Sequence, residues 1–162
     1  MAKVTRIDWT IKTGEKWWSG TDTPVHIEIR RDNTLLKRLA LEPGNTPRLT
    51  RGELATYYWV FKNESGLEGP GVSVGGAHVP YYEDFPKGVR GHLKVAIIAK
   101  GDDAWEKDWI HSTIYSGELR YVPGTIDEME WVEDRERFDF ERDVVLSTDR
   151  AEGFTTLNLL YK

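Results

Sequence analysis

Three short stretches of the chain offer oxygen ligands in a form that a hard cation accepts. They are Gly20-Thr21-Asp22, Glu42-Pro43-Gly44-Asn45-Thr46-Pro47 and Gly101-Asp102-Asp103-Ala104-Trp105. Calcium takes about six to eight oxygens, from carboxylates and from backbone or amide carbonyls. Gly, Asp and Asn are also ordinary turn formers, so the chemistry requires the three loops to gather at one end of the fold. Indoles accompany the oxygens: Trp17 and Trp18 precede the first stretch and Trp105 closes the third. Adjacent loop residues rarely both point inward, so at least one indole of the Trp17-Trp18 pair is expected in solvent. An indole partly buried with its N–H wet suits a bilayer interface.

Other motifs carry less. Gly71-Val72-Ser73-Val74-Gly75 has the spacing of a nucleophile elbow, but that chemistry needs a strand before the Ser and a helix after it. Here Glu68-Gly69-Pro70 and Gly76-Ala77-His78-Val79-Pro80 flank it, which reads as loop on both sides. The histidines His26, His78, His92 and His111 lack metal-binding spacing such as His-Glu-x-x-His. Asn63-Glu64-Ser65 is a glycosylation sequon only for a chain on a eukaryotic secretory route. No acid, base and nucleophile set comes together, and a non-catalytic protein is expected.

The elements that must position these loops are strands. Ile7, Trp9 and Ile11 alternate with polar residues, as do Val25, Ile27 and Ile29. A period of two with one apolar face marks half-buried antiparallel strands. Further strands are predicted at 35–42, 56–62, 92–99, 109–115, 118–122 (joined to the preceding one by a hairpin at Ser116-Gly117), 138–140, 144–146 and 154–161. About eight short strands between Gly, Pro, Asn and Asp clusters predict an all-β, antiparallel two-sheet β-sandwich. The Gly- and Pro-rich stretch 64–91 reads as a long surface loop. The acidic stretch 126–136 reads as a short helical turn or an irregular strand with a solvated face.

The 162 residues suit one domain with a proper core. The formal net charge of −5 argues against a nucleic-acid-binding surface. Cysteine is absent, so disulfides and thiolate metal sites are excluded. The opening Met-Ala-Lys-Val-Thr-Arg has no hydrophobic signal core and leads directly into a strand. The default expectation is a cytoplasmic or peripheral membrane protein.

Taken together, Thr13-Gly14…Gly20-Thr21-Asp22-Thr23-Pro24-Val25-His26-Ile27 and Leu41-Glu42-Pro43-Gly44-Asn45-Thr46…Leu49-Thr50-Arg51-Gly52-Glu53 resemble successive segments of the PLAT domain. So do His92-Leu93-Lys94-Val95 with Asp103-Ala104-Trp105…Trp109-Ile110, and Arg137-Phe138-Asp139-Phe140-Glu141-Arg142-Asp143. This is the β-sandwich of lipoxygenases, pancreatic-type lipases and polycystins, with a particularly similar form at the carboxy terminus of clostridial alpha-toxin. The resemblance runs from about Val4 to Ser147 and implies a module that binds membranes or protein partners, often with calcium. Carried over by position, it places the backbone oxygens of Gly20 and Ala104 with the Asp103 carboxylate in one calcium site. Thr21, Asp22, Gly44 and Asn45 form the other. Trp18 stands where calcium-binding members carry an acid and Thr46 where an acid would help, which weakens both sites, the first more severely, and turns Trp18 into an anchor beside Trp17 and Trp105. The expected function is peripheral membrane or lipid binding, calcium-assisted. The alternatives are a protein-interaction module using the aromatic loops or the acidic 126–136 stretch, and a carbohydrate-binding module.

Overall fold

The computed structural model describes residues 2–13, 25–41, 54–61, 72–99, 105–140, 144–146 and 156–162. Among these there is no helix. The strands are β1 (Ala2–Thr13), β2 (Val25–Arg31), β3 (Thr34–Leu41), β4 (Leu54–Val60), β5 (Val72–Val74), β6 (Ala77–Val79), β7 (Glu83–Phe85), β8 (Leu93–Ala99), β9 (Trp105–Tyr121), β10 (Met129–Phe140), β11 (Val144–Leu146) and β12 (Thr156–Leu160). The larger sheet runs β10-β9-β1-β4, with β11 added to β9 and β7 to β1; the smaller runs β12-β8-β2-β3. These two antiparallel sheets form the expected all-β sandwich, and β5 and β6 make a separate hairpin.

The residues group into two compact units. The first comprises Met1–Asp8, Tyr58–Gly88 and Thr113–Arg137. Its core includes Val4, Ile7, Phe85 and Ile114, all at most 2% exposed. The second comprises Trp9–Tyr57, Val89–Ser112 and Phe138–Lys162. Here both sheets contribute inward side chains: Trp9, Ile11 and Ile110 from the larger, and Ile27, Ile29, Leu93, Val95, Ile97 and Leu159 from the smaller. The period of two in the sequence therefore becomes two facing apolar layers. Tyr161, just past β12, plugs this core. Its hydroxyl accepts a hydrogen bond from Trp9 Nε1 at 3.0 Å and meets Ser112 Oγ at 2.8 Å. The rings of Phe138 and Phe140 lie edge-on to it.

Three sequence expectations are corrected. Ser116-Gly117 is not a turn, because β9 runs unbroken through it. The Trp131 indole lies directly over Gly117, where an added Cβ would collide with the ring. The glycine serves close cross-strand approach instead of chain reversal. Of the two readings of 126–136, the helical turn falls and the strand holds from Met129, where β10 begins with Glu130, Glu133 and Asp134 exposed and Glu136 half-buried. The 64–91 stretch is not simply a loop, since β5, β6 and β7 lie within it. Gly75 and Gly76, with φ of 55° and 83°, make the two-residue turn between β5 and β6. Ser73 therefore sits in a strand–turn–strand hairpin opposite His78, without the helix that a nucleophile elbow requires.

Candidate functional site

The predicted ligand residues Gly20, Thr21, Asp22, Gly44, Asn45, Asp103 and Ala104, and the predicted anchors Trp17 and Trp18, lie outside the described residues. Trp105 is described as backbone only: it opens β9 opposite Leu146 of β11. What the structure does fix is the strand ends that border the three ligand-bearing segments. In the smaller sheet, Val25 is paired with Leu41 on one side and with Ala99 on the other. Segment 14–24 returns to the sheet at Val25, segment 42–53 leaves at Leu41, and segment 100–104 leaves at Ala99. Neighbouring strands are about 4.8 Å apart, so the outer two of these ends are separated by about 10 Å. The register is held by Ile27, Ile29, Leu93, Val95 and Ile97, all buried on the inner face. A slip of one residue would turn that apolar set out into water. Among the described residues there is no group of three or more His, Asp or Glu that could hold a metal.

The outer face of the same sheet carries charge in ordered rows. Arg30 is paired with Lys94, which is paired with Leu160. Glu28 is paired with Arg38 on β3 and Ala96 on β8, and Ala96 with Asn158. His26 is paired with Ile98 and Ile98 with Thr156. Glu28 is the surprise in this face, since its side chain keeps only 8% exposure although it points outward. Arg30 Nη2 lies 2.8 Å from Glu28 Oε2, and Arg38 Nη2 lies 2.6 Å from Glu28 Oε1. Arg38 Nε adds a second bond to the same oxygen at 3.0 Å. Burial disfavours the carboxylate, but the bonds and charges of the two guanidiniums outweigh it and hold its pKa below the ordinary value. Lys94 has no ion-pair partner among the described residues. Sequence reading found β2 and β8 but missed this cluster, because Arg30, Arg38 and Lys94 meet only once strand pairing is known.

The first unit presents a different surface. Tyr58 of β4, Arg6 of β1, Tyr115 of β9 and Arg135 of β10 alternate across four strands. The Arg6 guanidinium lies 4.6 Å from the Tyr58 ring and 5.4 Å from the Tyr115 ring, and the Arg135 guanidinium lies 4.8 Å from Tyr115. Arg6 and Arg135 are also bonded to Asp8 and Glu133. Nearby, Lys3 sits over Tyr82, and Tyr82 stacks on Trp131. These rings are engaged by cations and by each other, which makes the ladder a cross-strand brace. The connection from β9 to β10 is closed by Val122 N–H to Glu128 O at 2.9 Å and by Thr125 Oγ1 to Val122 O at 2.7 Å. It presents Ile126 at 96% exposure, and Tyr121, the last residue of β9, is 67% exposed. Gly75, Gly76, Asp127, Glu128 and Met129 line a shallow open depression next to it.

Two histidines have carboxylate neighbours. His92 Nδ1 lies 2.9 Å from Asp32 Oδ1, and His111 Nε2 lies 3.6 Å from Asp139 Oδ1. His111 also stacks on Trp109. The buried hydroxyl of Ser112 is directed to Tyr161.

No family model matches the chain. No curated protein matches it either. Among solved structures, it is similar to alpha toxin from Clostridium absonum, at 17% identity and a TM-score of 0.44, over 90% of this chain and 32% of that one. The chain thus spans about a third of that structure's length. No residue role is carried across at this level of likeness.

Proposed function

We propose that this chain is a non-catalytic, PLAT-like module that docks on membrane surfaces through the loop-bearing end of its smaller sheet, with calcium assisting. The observation that carries this reading is the alignment of Val25, Leu41 and Ala99 in neighbouring strands. It supports a common origin for the segments that hold Trp17, Trp18 and Asp22, then Gly44 and Asn45, then Asp103 and Ala104. Oxygen ligands from separate loops suit calcium, which accepts mixed carbonyl and carboxylate sets. Indoles among them suit the headgroup layer. With Trp18 and Thr46 in place of acids, the carboxylate charge is low, so calcium is expected to bind weakly and the indoles to supply much of the affinity.

A calorimetric calcium titration tests the first half of this reading. Heat that disappears in both Asp22→Ala and Asp103→Ala supports shared sites, whereas heat unchanged in both overturns them. Vesicle sedimentation tests the second half. Trp17→Ala/Trp18→Ala is expected to release the protein from phosphatidylcholine/phosphatidylserine vesicles, and binding equal to wild type would remove the anchor role.

A second reading, a protein-interaction module, draws on Ile126. A nearly fully exposed Ile on a hydrogen-bonded turn, flanked by Asp127 and Glu128, fits an apolar pocket with a basic rim. Loss of a partner on Ile126→Glu, with vesicle binding absent in wild type, would put this reading first.

A further inference from the structure

The geometry points to the outer face of the smaller sheet as an electrostatic docking surface for an anionic bilayer, so that the domain lies tilted onto Arg38, Arg30 and Lys94. This rests on the membrane reading above and adds the lipid class and a second contact surface. Among the described residues, three cations share this face with a single carboxylate, in a chain whose net charge is −5. The carboxylate is Glu28, already buried beneath Arg30 and Arg38, so what these residues show to solvent is basic. Arg38 and Arg30 retain 52% and 36% side-chain exposure. Lys94 is exposed, with no ion-pair partner among the described residues.

A further feature favours a bilayer over a folded acidic protein. Leu160, paired with Lys94, is an apolar side chain at 58% exposure. Basic residues interleaved with exposed apolar ones are the composition of a headgroup-layer contact. The position also fits. Arg38 is paired with the residue three beyond Val25, and Arg30 is five beyond it, which is about 10 and about 17 Å along the strand from the loop-bearing end. A Debye length is about 10 Å at 0.1 M salt. A domain anchored at its loops and tilted onto this face therefore brings these cations into the field of the leaflet, where each Lys or Arg adds attraction.

The test compares charge reversal on the face with charge reversal elsewhere. Lys94→Glu and Lys87→Glu change the net charge equally, but Lys87 lies in the turn after β7, in the first unit. Binding is measured to vesicles of phosphatidylcholine alone and mixed with phosphatidylserine, in calcium and in chelator, with circular dichroism melts to verify folding. Lys94→Glu is expected to weaken binding to the mixed vesicles roughly 10- to 30-fold, and Lys94→Gln by the square root of that factor. Lys87→Glu is expected to change it by less than about threefold, and the Lys94 effect should vanish near 1 M salt, where the Debye length is about 3 Å. Equal losses in Lys94→Glu and Lys87→Glu would overturn the face and leave only net charge. Loss in Trp17→Ala/Trp18→Ala with Lys94→Glu unaffected would sink the face while the loop reading stands. Wild type that ignores every vesicle would remove both; Lys94-dependent binding to soluble polyglutamate in that case would assign the face to an acidic protein.

Discussion

Tyr161→Phe isolates the polar interaction at the centre of the second unit. The ring keeps its place against Phe138 and Phe140, at centroid distances of 4.9 and 5.2 Å, so the apolar burial is unchanged. What disappears is the hydroxyl that takes the Trp9 indole N–H at 3.0 Å and meets Ser112 Oγ at 2.8 Å. Trp9 and Ser112 are both 0% exposed, so water does not replace the lost partner. A buried donor left without an acceptor costs about 1–3 kcal/mol. Ser112 retains another interaction and adds less. A loss of about 2 kcal/mol is expected, which for a chain of this size lowers Tm by about 4–8 °C. Urea denaturation with an unchanged m-value is the assay. The Ser112→Ala/Tyr161→Phe cycle should show coupling between the two positions. A loss below about 0.5 kcal/mol at equal m would refute the argument that the indole N–H depends on this acceptor. Burial also raises the Tyr161 pKa well above its ordinary 10, with the Ser112 and Trp9 bonds opposing in part. The unfolded chain ionises near pH 10 and the folded one does not. The stability is therefore full below pH 10 and falls as pH rises beyond it, and Tyr161→Phe should flatten that alkaline limb.

Glu28→Gln is expected to weaken the acid limb: with its folded pKa lowered by Arg30 and Arg38 against burial, Glu28 contributes stability above about pH 4.5 that is lost as pH falls through the folded value. Urea melts across pH 2–7 should show a shallower acid decline in the variant, and identical slopes would refute the contribution. Gly117→Ala drives a methyl into the Trp131 indole and should cost about 1–3 kcal/mol, with a shift in tryptophan emission as the ring leaves Tyr82. An unshifted spectrum and an unchanged melt would show that the indole does not rest on Gly117.

The inner faces were legible because each needed only its own strand. Ile7, Trp9 and Ile11, Ile27 and Ile29, and Leu93, Val95 and Ile97 repeat every second residue, and a half-buried strand imposes that period. Legibility failed where a residue's role is set by another strand. Gly117 reads locally as a turn, yet it is spared a side chain because Trp131 lies over it. β10 has a single buried position, Phe138, so its acidic sequence lacks a strong apolar alternation and resembles a solvated segment. β5, β6 and β7 span three residues each, too few for any period to register. For the candidate site, the sequence marked the three loops by their Gly, Asp, Asn and Trp content. Only the pairing of Val25 with Leu41 and Ala99 brings their strand ends together.

A total of −5 governs the far field and solubility of the chain. At a surface, however, the field is felt only within about a Debye length, and what matters is which strands pair. Arg38 and Lys94 come from opposite flanks of β2, and both reach its outer face because they are paired with Glu28 and Arg30, two residues apart on one strand. Glu28, the one acid in this set, is withdrawn beneath two guanidiniums. The strand register thus converts an acidic chain into one with a basic face, and the Lys94→Glu and Lys87→Glu pair separates the two descriptions. A partner that responds to total charge cannot tell the variants apart, whereas a partner on the face must.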